Sequence, residues 1–487
     1  MKRIPDGTHL PADKRALIAV DLGAESCRVS LLRWVSGKAE ISVVHRFANA
    51  PCQENGGLHW DLAMIEEGLE HGLRMCATIA EEGVRSIAVD GWATDYVHVG
   101  TDGEPLANPF CYRDLRTIDA ERFLHSKLSK SRLRELTGVQ LLRINTLYQM
   151  CADRLQGVQE TDWLNIPEYI LSRWGGARVA EHTNATHTQM VELYEKKWCR
   201  EIFQAVGLDV EYAPMIVPPG TVIGFVRGTL AKLPALSEAV LIAPACHDTA
   251  SAIAGIAAVG DDWAYISSGT WSLVGTLLEQ PRNNEGAAKE NFTNLGAVGG
   301  RVCFHKNVNG MWLLRQCIDS WSGQGRMWSV PELVTASEEV SVPSMLLDVD
   351  DSDLLLEGNM PQRINAQLTR KGEQALDDGP ENAPAFASLI FHSLAARYAD
   401  VLDRVAVHTG KKLKRVFVVG GGSQNTFLNR LIQEATGLQV FRGSMESSTV
   451  GNFAVQLAVL DGNRNEKTGA NAEQVSRWAR LLVAGLK

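Results

Sequence analysis

The sequence contains no apolar run that approaches the roughly 20 residues of a membrane-spanning helix. Its first apolar run, residues 16–20, is interrupted by Asp21 and does not supply the hydrophobic segment of a signal peptide. An excess of positive charge is also missing, because 48 basic and 57 acidic residues give a net charge of −9. We therefore expect a cytoplasmic protein that binds neither membranes nor nucleic acids.

Paired cysteines and the common nucleotide-binding signatures are absent as well. Nine cysteines are scattered so that no two lie two to four residues apart, which signals neither a zinc site nor a disulfide framework. No Gly-x-x-x-x-Gly-Lys-Ser/Thr run occurs, and in the segment that begins at Gly420 the third glycine of the dinucleotide fingerprint is replaced by Asn425. Any phosphate must be bound in another way.

What is present is the composition of a globular α/β protein, with 45% hydrophobic residues, 22% charged residues and 43 glycines. Its 487 residues exceed the roughly 250 to 300 at which a single core stops growing, so two domains are expected. We place the boundary between the two domains within an expected helix over 252–258, which a turn at 260–262 follows. We predict a polar tail over 1–15, a first domain over 16–255 and a second over 256–487.

Two hairpins lie about half a chain apart. The first consists of strands over 16–20 and 28–34 around a turn at 21–26, and the second of strands over 263–266 and 271–275 around a turn at 267–270. Their glycines, Gly23 and Gly269, occupy corresponding places in the two turns. The repetition predicts a duplicated architecture.

Both turns have a composition that suits an anion. Small residues after a strand let backbone N–H groups approach a phosphate, and the carboxylate of Asp21 could hold a hydrated Mg²⁺ beside it. Taken alone, such a turn is more typical of an ordinary structural hairpin. Their occurrence in corresponding places favours the binding of one triphosphate from both sides.

A third glycine-rich segment, 420–425, lies between a predicted strand over 415–419 and a predicted helix over 426–436. Glycines let a flat ligand lie against the backbone, and Asn425 could contact its edge. The alternative is a structural strand-to-helix turn with Asn425 near the helix start. The segment 283–300 is expected to be a loop.

Asp248 is the candidate catalytic carboxylate. The segment 245–251 follows an apolar run and begins a helix of small residues, which places Asp248 near a helix N-terminus. A carboxylate there can take the proton of an attacking hydroxyl group, whereas the structural alternative is a helix cap.

His182 and His187 are five residues apart and poorly spaced as metal ligands. Several polar segments could contact a sugar or could be ordinary turns and core hydrogen bonds: 90–95, 112–114, 145–149, 183–186 and 306–307.

In order along the chain, these motifs resemble those of the FGGY carbohydrate kinases, from about residue 16 to about residue 460. The segments that carry the resemblance are Val20-Asp21-Leu22-Gly23-Ala24, Tyr112-Arg113-Asp114, Asn145-Thr146-Leu147-Tyr148-Gln149, Thr183-Asn184-Ala185-Thr186, His247-Asp248-Thr249-Ala250-Ser251, Ser267-Ser268-Gly269-Thr270-Trp271-Ser272, Asn309-Gly310-Met311-Trp312-Leu313-Leu314, Gly420-Gly421-Gly422-Ser423-Gln424-Asn425 and Ser448-Thr449-Val450-Gly451-Asn452.

The resemblance implies an α/β fold of the actin and hexokinase type, with two ribonuclease-H-like domains and an interdomain cleft that closes on ATP and sugar. The implied reaction is Mg²⁺- and ATP-dependent phosphorylation of the C1 hydroxyl of a ketose by a monomer or small homo-oligomer. Segments 145–149 and 310–314 are most similar to those of members that convert L-rhamnulose to L-rhamnulose 1-phosphate. Alternatives are another ketose such as L-fuculose, a catalytically silent sugar-binding regulator, and an actin-like or chaperone-like ATPase with a protein partner.

The resemblance also implies roles for individual residues. Asp248 matches the proton acceptor, and Asp21 is the expected carboxylate near Mg²⁺. The ketose contacts are expected at Ala93, His247, Asp248, Thr249 and Asn307. The ATP contacts are expected at Ala24, Glu25, Ser26, Cys27, Arg28, Thr270, Arg315 and Gly421.

The chain departs from the family pattern at two of these positions. Ala93 replaces a glycine, which adds a methyl group to the expected wall of the sugar pocket. Arg315 replaces a glutamine, and Gln316 follows one position later. Both departures bear on specificity more than on the reaction.

Overall fold

Two six-stranded sheets, one in each of two units, form the framework of the protein. The structure, a computed structural model, describes residues 11–462 and 469–485. Of these residues, the first unit comprises 11–257, Leu295–Arg301, 448–462 and 469–485, and the second comprises Ala258–Asn294 and Val302–Ser447. The predicted boundary between domains 16–255 and 256–487 stays a prediction. Residues 1–10 of the predicted tail lie outside the described residues.

The elements of the first unit up to residue 257 are strands β1 Ala16–Leu22, β2 Ser26–Val35, β3 Lys38–Ala48, β4 Cys52–Glu54, β5 Gly57–His59, β6 Val84–Gly91, β7 Tyr96–His98, β8 Trp163–Asn165, β9 Val179–Glu181, β10 Met215–Val217, β11 Thr221–Phe225 and β12 Val240–Ala243, with helices α1 Leu62–Ile79, α2 Thr117–Lys127, α3 Lys130–Thr137, α4 Thr146–Leu155, α5 Ile166–Arg173, α6 His182–His187, α7 Arg200–Val206 and α8 Asp248–Ala254.

The first sheet has the order β11-β12-β6-β1-β2-β3. Strands β1, β2 and β3 are antiparallel neighbours, whereas β6 lies parallel to β1 and β12 parallel to β6. All seven residues of β1 are buried, as expected for a central strand with both faces covered. Because β1, β6 and β12 run in the same direction, the residues that follow them meet at one edge of the sheet.

The remaining elements are strands β13 Trp263–Ser268, β14 Trp271–Leu278, β15 Thr293–Gly296, β16 Val302–Asn309, β17 Arg415–Val419 and β18 Gln439–Arg442, with helices α9 Glu285–Lys289, α10 Trp312–Ser322, α11 Val330–Ser337, α12 Met360–Arg370, α13 Ala383–Thr409, α14 Thr426–Thr436, α15 Ser447–Leu460 and α16 Ala472–Gly485.

The second sheet repeats the arrangement of the first, in the order β15-β16-β14-β13-β17-β18. Strands β13, β14 and β16 are antiparallel neighbours, and β17 and β18 run parallel to β13. The hairpin β13–β14 thus corresponds to β1–β2, and β17 corresponds to β6. The predicted duplicated α/β architecture is confirmed.

Helix α15 packs on the first sheet from residue 448 onward. Gly451 permits the close approach of α8, because a Cβ added there would lie 1.8 Å from the carbonyl oxygen of Ser251. Ser448, Asn452 and Gln456 recur every four residues, so they share one face of the helix. This polar face contacts β1 and β6, where Gln456 donates to the carbonyl of Ile18 at 3.0 Å.

Two local predictions were wrong. Helix α8 ends at Ala254, because Gly255 closes it and the chain then continues without helix through Val259. The segment 283–300 contains α9, whose first turn is capped by the Asn284 side chain, and the strand β15. None of the helices in the described parts of the chain combines the length and the hydropathy that a membrane crossing requires.

Candidate active site

Three carboxyl groups meet at the edge of the first sheet where its parallel strands end. Asp21 on β1 lies in register with Asp90 on β6. Gly91, the next residue on β6, bridges to His247, and its N–H donates to the carbonyl of Cys246 at 2.9 Å. The strand order therefore brings Asp248, the residue after His247, to the same edge, where ligands typically bind in parallel sheets.

Asp21 is buried and already carries two donors. Its Oδ2 accepts a 2.5 Å hydrogen bond from the guanidinium of Arg28 and a short one from the hydroxyl of Ser448. The positive charge of Arg28, one of the predicted ATP contacts, is thus paired with the predicted Mg²⁺ carboxylate.

Asp90 is fully buried, and only one of its oxygens has a partner. Its Oδ2 accepts a 2.6 Å hydrogen bond from the amide of Asn452, whereas Oδ1 has no hydrogen-bond partner among the described residues. Burial and the nearby charge of Asp21 hold the pKa of the Asp90 carboxyl well above its ordinary value.

Asp248 is the first residue of α8 and keeps 35% of its side chain exposed. Its Oδ1 accepts a 3.0 Å hydrogen bond from the hydroxyl of Thr249 and lies 3.5 Å from Nε2 of His247. Burial and the charge of Asp21 raise the pKa of Asp248 to about 7, against the opposing effects of Thr249 and Arg28. His247 occupies the cap position of α8 without a capping side-chain bond, so the alternative role of Asp248 as the helix cap does not apply.

The site contains three carboxyl groups and one guanidinium group, so its acidic groups outnumber its basic ones. The carboxyl groups of Asp21, Asp90 and Asp248 influence one another electrostatically, and Arg28 is the cation that acts on both Asp90 and Asp248. A divalent cation would offset this imbalance. Mg²⁺ commonly uses one or two carboxylates together with water and phosphate oxygens, so the donors present fit an ion that arrives with a nucleotide. Within the described residues, no three His, Cys, Asp or Glu side chains are arranged so that they could ligate one metal ion by themselves.

The predicted sugar segment 90–95 folds around a buried carboxyl group. Asp95 accepts hydrogen bonds from the indoles of Trp60 and Trp92 and from the amide of Gln149. Burial raises the pKa of Asp95 to about 6, and these donors oppose that change. Thr94 has a φ of 80°, an unusual value for a residue with a Cβ, and Ala93 beside it is buried. The network gives the segment a defined shape.

The first predicted phosphate turn is short. Strand β1 ends at Leu22 and β2 begins at Ser26, so the turn between them consists of Gly23, Ala24 and Glu25. Ala24, Glu25 and Ser26 reach the surface to different degrees, whereas the Cys27 side chain is buried in the core. Of the predicted ATP contacts here, Cys27 can therefore offer only its backbone.

The second unit holds four of the predicted site residues. Gly269 and Thr270 form the turn of β13–β14, and their carbonyls accept from the N–H groups of Met311 and Trp312 at the start of α10. Gly420 and Gly422 pack against Ser268, which brings the glycine-rich segment beside this turn. Gly421 lies between them, and a Cβ added there would meet no atom within 4 Å.

The other two lie on neighbouring elements. Arg315 on α10 is 62% exposed and pairs with Asp319, whereas Gln316 is buried and accepts from the N–H of Gly358 at 2.7 Å. Asn307 lies on β16 opposite Leu273 of β14. Asn425 caps α14 through a 2.9 Å bond to the N–H of Leu428, as its structural alternative predicted.

Helix α15 contributes side chains to the site that were not predicted from the sequence. Ser448 and Asn452 supply the donors to Asp21 and Asp90 from more than 360 positions away along the chain. The only local signal is the four-residue spacing of polar groups in an otherwise apolar helix. The ring of His187 lies 4.7 Å from the ring of His247. The sequence drew attention to His187 only through its spacing from His182, and it did not predict this contact with His247.

Comparisons with known proteins identify the family of the chain. The model of the N-terminal domain of the FGGY family of carbohydrate kinases matches residues 16–255, and that of the C-terminal domain matches 264–459. A rhamnulokinase of Bacteroides thetaiotaomicron is 32% identical over 462 residues, which cover 94% of this chain and 93% of that protein. A rhamnulokinase of Enterococcus faecalis is 34% identical, with 91% and 89% covered.

Among solved structures, the ligand-bound xylulose kinase from Lactobacillus acidophilus superposes with a TM-score of 0.75 at 16% identity, covering 97% of each chain. This likeness shows the same fold and confirms the predicted fold class. Because the two family models together span most of the sequence, the chain belongs to the FGGY family of carbohydrate kinases.

Proposed function

We propose that the protein transfers the γ-phosphoryl group of ATP to the C1 hydroxyl of a ketose, and that this ketose is L-rhamnulose. The observation that carries the reaction is the position and chemistry of Asp248. Its carboxyl lies at the sheet edge beside Asp21, retains an open face, and has a pKa of about 7. A carboxyl with that pKa is ionised often enough to accept a proton near neutral pH and basic enough to take one from an alcohol.

In the proposed reaction, Asp248 takes the proton of the C1 hydroxyl as the hydroxyl oxygen attacks the γ-phosphorus of ATP, and the bond from that phosphorus to the bridging oxygen breaks to release ADP. Thr249 holds Oδ1 of the carboxyl in place through its hydroxyl, which leaves the open face of the group for the sugar. His247 and Ala93 are proposed neighbours of the ketose in the first unit, and Asn307 is proposed as a contact in the second.

The nucleotide contacts are proposed for each unit separately. In the first unit, the backbone N–H groups at the turn, residues 24–26, are suited to phosphate oxygens, whereas Cys27 and Arg28 lie where β2 pairs with both of its neighbours. In the second unit, Thr270, Arg315 and the open face of Gly421 are the proposed contacts. Mg²⁺ held through water by Asp21 would neutralise charge on the transferred phosphoryl group. The role of Arg28 is then to balance Asp21 electrostatically.

L-rhamnulose is proposed because full-length relatives at 32 to 34% identity are named rhamnulokinases. The methyl group of Ala93 leaves less space in the expected sugar pocket than a glycine at that position would. Apolar walls discriminate between sugars that differ by one small group only about 10 to 200-fold. We therefore expect weaker activity on related ketoses rather than none.

A substrate panel tests this proposal. The purified protein is assayed with Mg²⁺-ATP and L-rhamnulose, L-fuculose, D-fructose, L-xylulose or D-ribulose, with coupled detection of ADP. We expect the highest kcat/KM with L-rhamnulose. A different best ketose would reject the substrate but keep the reaction. ADP release that needs no sugar would favour an ATPase, and sugar-induced thermal stabilisation without ADP release would favour a silent regulator.

A further inference from the structure

A buried carboxyl outside the group of three touches the loop that carries Asp248. Glu181, at the end of β9, is completely buried and is the cap residue of α6. Its Oε1 accepts the N–H of Thr183 at 2.9 Å, which is the ordinary capping bond. Its Oε2 accepts the N–H of Cys246 at 2.8 Å, and Cys246 lies two residues before Asp248.

Thr183 makes a second connection to the same loop. Its hydroxyl donates to Oε2 of Glu181 at 2.5 Å and accepts the N–H of His247 at 3.2 Å. Two consecutive backbone amides, those of Cys246 and His247, are thus held by one buried carboxyl group and one hydroxyl. All of these groups are buried, so water does not compete for the donors.

Capping alone does not explain a glutamate at this position. Ser, Thr, Asp and Asn are the usual cap residues, because a short side chain reaches the amides of the first turn. The longer side chain of Glu181 lets its second oxygen reach another segment. Glu181 is itself held by a second buried glutamate, since Glu168 on α5 accepts the N–H of Glu181 at 3.0 Å and the amide of Asn184 at 2.9 Å.

We propose that Glu181 and Thr183 are positioning residues that fix the Cys246–His247 backbone and thereby aim the carboxyl of Asp248 at the sugar hydroxyl. The inference rests on the proposed function for its catalytic part. Neither residue needs to touch a substrate. A displacement of about 1 Å in a reacting group costs on the order of a hundredfold in rate, so a loop this close to the base must be held firmly.

Thr183→Val removes the hydroxyl while it keeps the shape of the side chain and the capping bond of Glu181. Thr183→Ser restores the hydroxyl. Thr188→Val is the matched control, because Thr188 is also completely buried and also bonds backbone groups, those of Ala185 and Met190, outside the Asp248 loop. Each variant is purified as the full chain and compared with the wild type.

The first measurement is amide hydrogen exchange at residues 246 and 247, which needs no substrate. Thr183→Val removes the hydrogen bond from the N–H of His247, so exchange at residue 247 should speed up about tenfold, whereas residue 246 keeps its bond to Glu181. Thr183→Ser and Thr188→Val should exchange like the wild type at these residues. Unchanged exchange in Thr183→Val would overturn the proposal whatever the protein phosphorylates.

The second measurement is kinetics on the best ketose of the panel. We expect Thr183→Val to lower kcat about 10 to 100-fold, with the KM for ATP within about twofold, and Thr183→Ser to recover most of kcat. Faster exchange without a loss of kcat, or an equal loss in Thr188→Val, would overturn the catalytic role. A wild-type protein that phosphorylates no ketose would reject the proposed function and this catalytic role, while the exchange result would still decide whether the loop is held as described.

Discussion

The amide of Asn452 donates a 2.6 Å hydrogen bond to the buried carboxyl of Asp90, across 362 positions of sequence. This bond is made to Oδ2 of Asp90, and Oδ1 has no hydrogen-bond partner in the part of the chain that the structure describes. Helix α15 therefore completes the acidic edge of the first sheet by supplying a neutral donor where a further charge would be costly.

Asn452→Leu should destabilise the protein by about 1 to 3 kcal/mol, because it leaves a buried carboxyl without its donor. The change is measured as the free energy of unfolding in urea. The same substitution in an Asp90→Leu background should cost clearly less, since no carboxyl remains to be deprived. Equal costs in both backgrounds would show that the hydrogen bond contributes nothing.

The glycine-rich turn of the second unit offers a test of nucleotide binding. Gly421→Val should cost little stability, because a Cβ added there would meet no atom within 4 Å, and should raise the KM for ATP at least about tenfold by occupying the proposed ATP contact at this glycine. Steady-state kinetics at saturating sugar measure this effect.

Gly422→Ala is the matched control for that turn. Its Cβ would lie 2.0 Å from the hydroxyl oxygen of Ser268, so overpacking should cost about 1 to 3 kcal/mol of folding free energy. Thermal unfolding of both variants separates the two effects. A Gly421→Val variant with an unaltered KM for ATP would remove Gly421 from the site.

The pH dependence of kcat/KM should report the pKa of Asp248. Because burial and Asp21 raise that pKa to about 7, the base is protonated and inactive at lower pH. Activity should therefore fall about tenfold per pH unit below pH 7 and level off above it.

Thr249→Val sharpens the pH experiment. The hydroxyl of Thr249 stabilises the ionised form of Asp248, so its removal should raise the pKa of Asp248 and move the acidic limb to higher pH. Thr249→Ser should leave the limb in place. A limb that stays near pH 4, or one that does not respond to Thr249→Val, would show that another group controls the profile.

Local patterns predicted much of the framework. The strand Arg415–Val419 and the helix Thr426–Thr436 have the bounds that the sequence indicated, and both hairpins form where β-branched and aromatic runs flank small residues. These elements are set by short-range chemistry: buried strand runs, glycine turns and a capping asparagine.

The failures also have physical causes. A run of small residues favoured helix beyond Ala254, but Gly255 ended it and the chain turned toward the next strand. The polar segment 283–300 lacked a hydrophobic pattern, although Asn284 before Glu285 was a usable cap signal for α9.

Asp21 and Asp248 could be singled out as candidates from their turns, whereas their supporting partners could not. Ser448, Asn452 and Glu181 lie far from the acidic residues and loop in sequence, and only the fold brings them together. The four-residue spacing of polar groups in α15 sets them apart from the rest of that helix, but it does not identify their long-range partners.

The role of Asp248 is the central claim, and its direct test is kcat of Asp248→Asn with the preferred ketose. Asparagine keeps the size of the side chain and an oxygen that can accept from Thr249, but it cannot take a proton. We predict a loss in kcat of about 10² to 10⁴-fold, with sugar and ATP binding by calorimetry largely retained. A variant whose kcat stays within about tenfold of the wild type would contradict the assignment of Asp248 as the base.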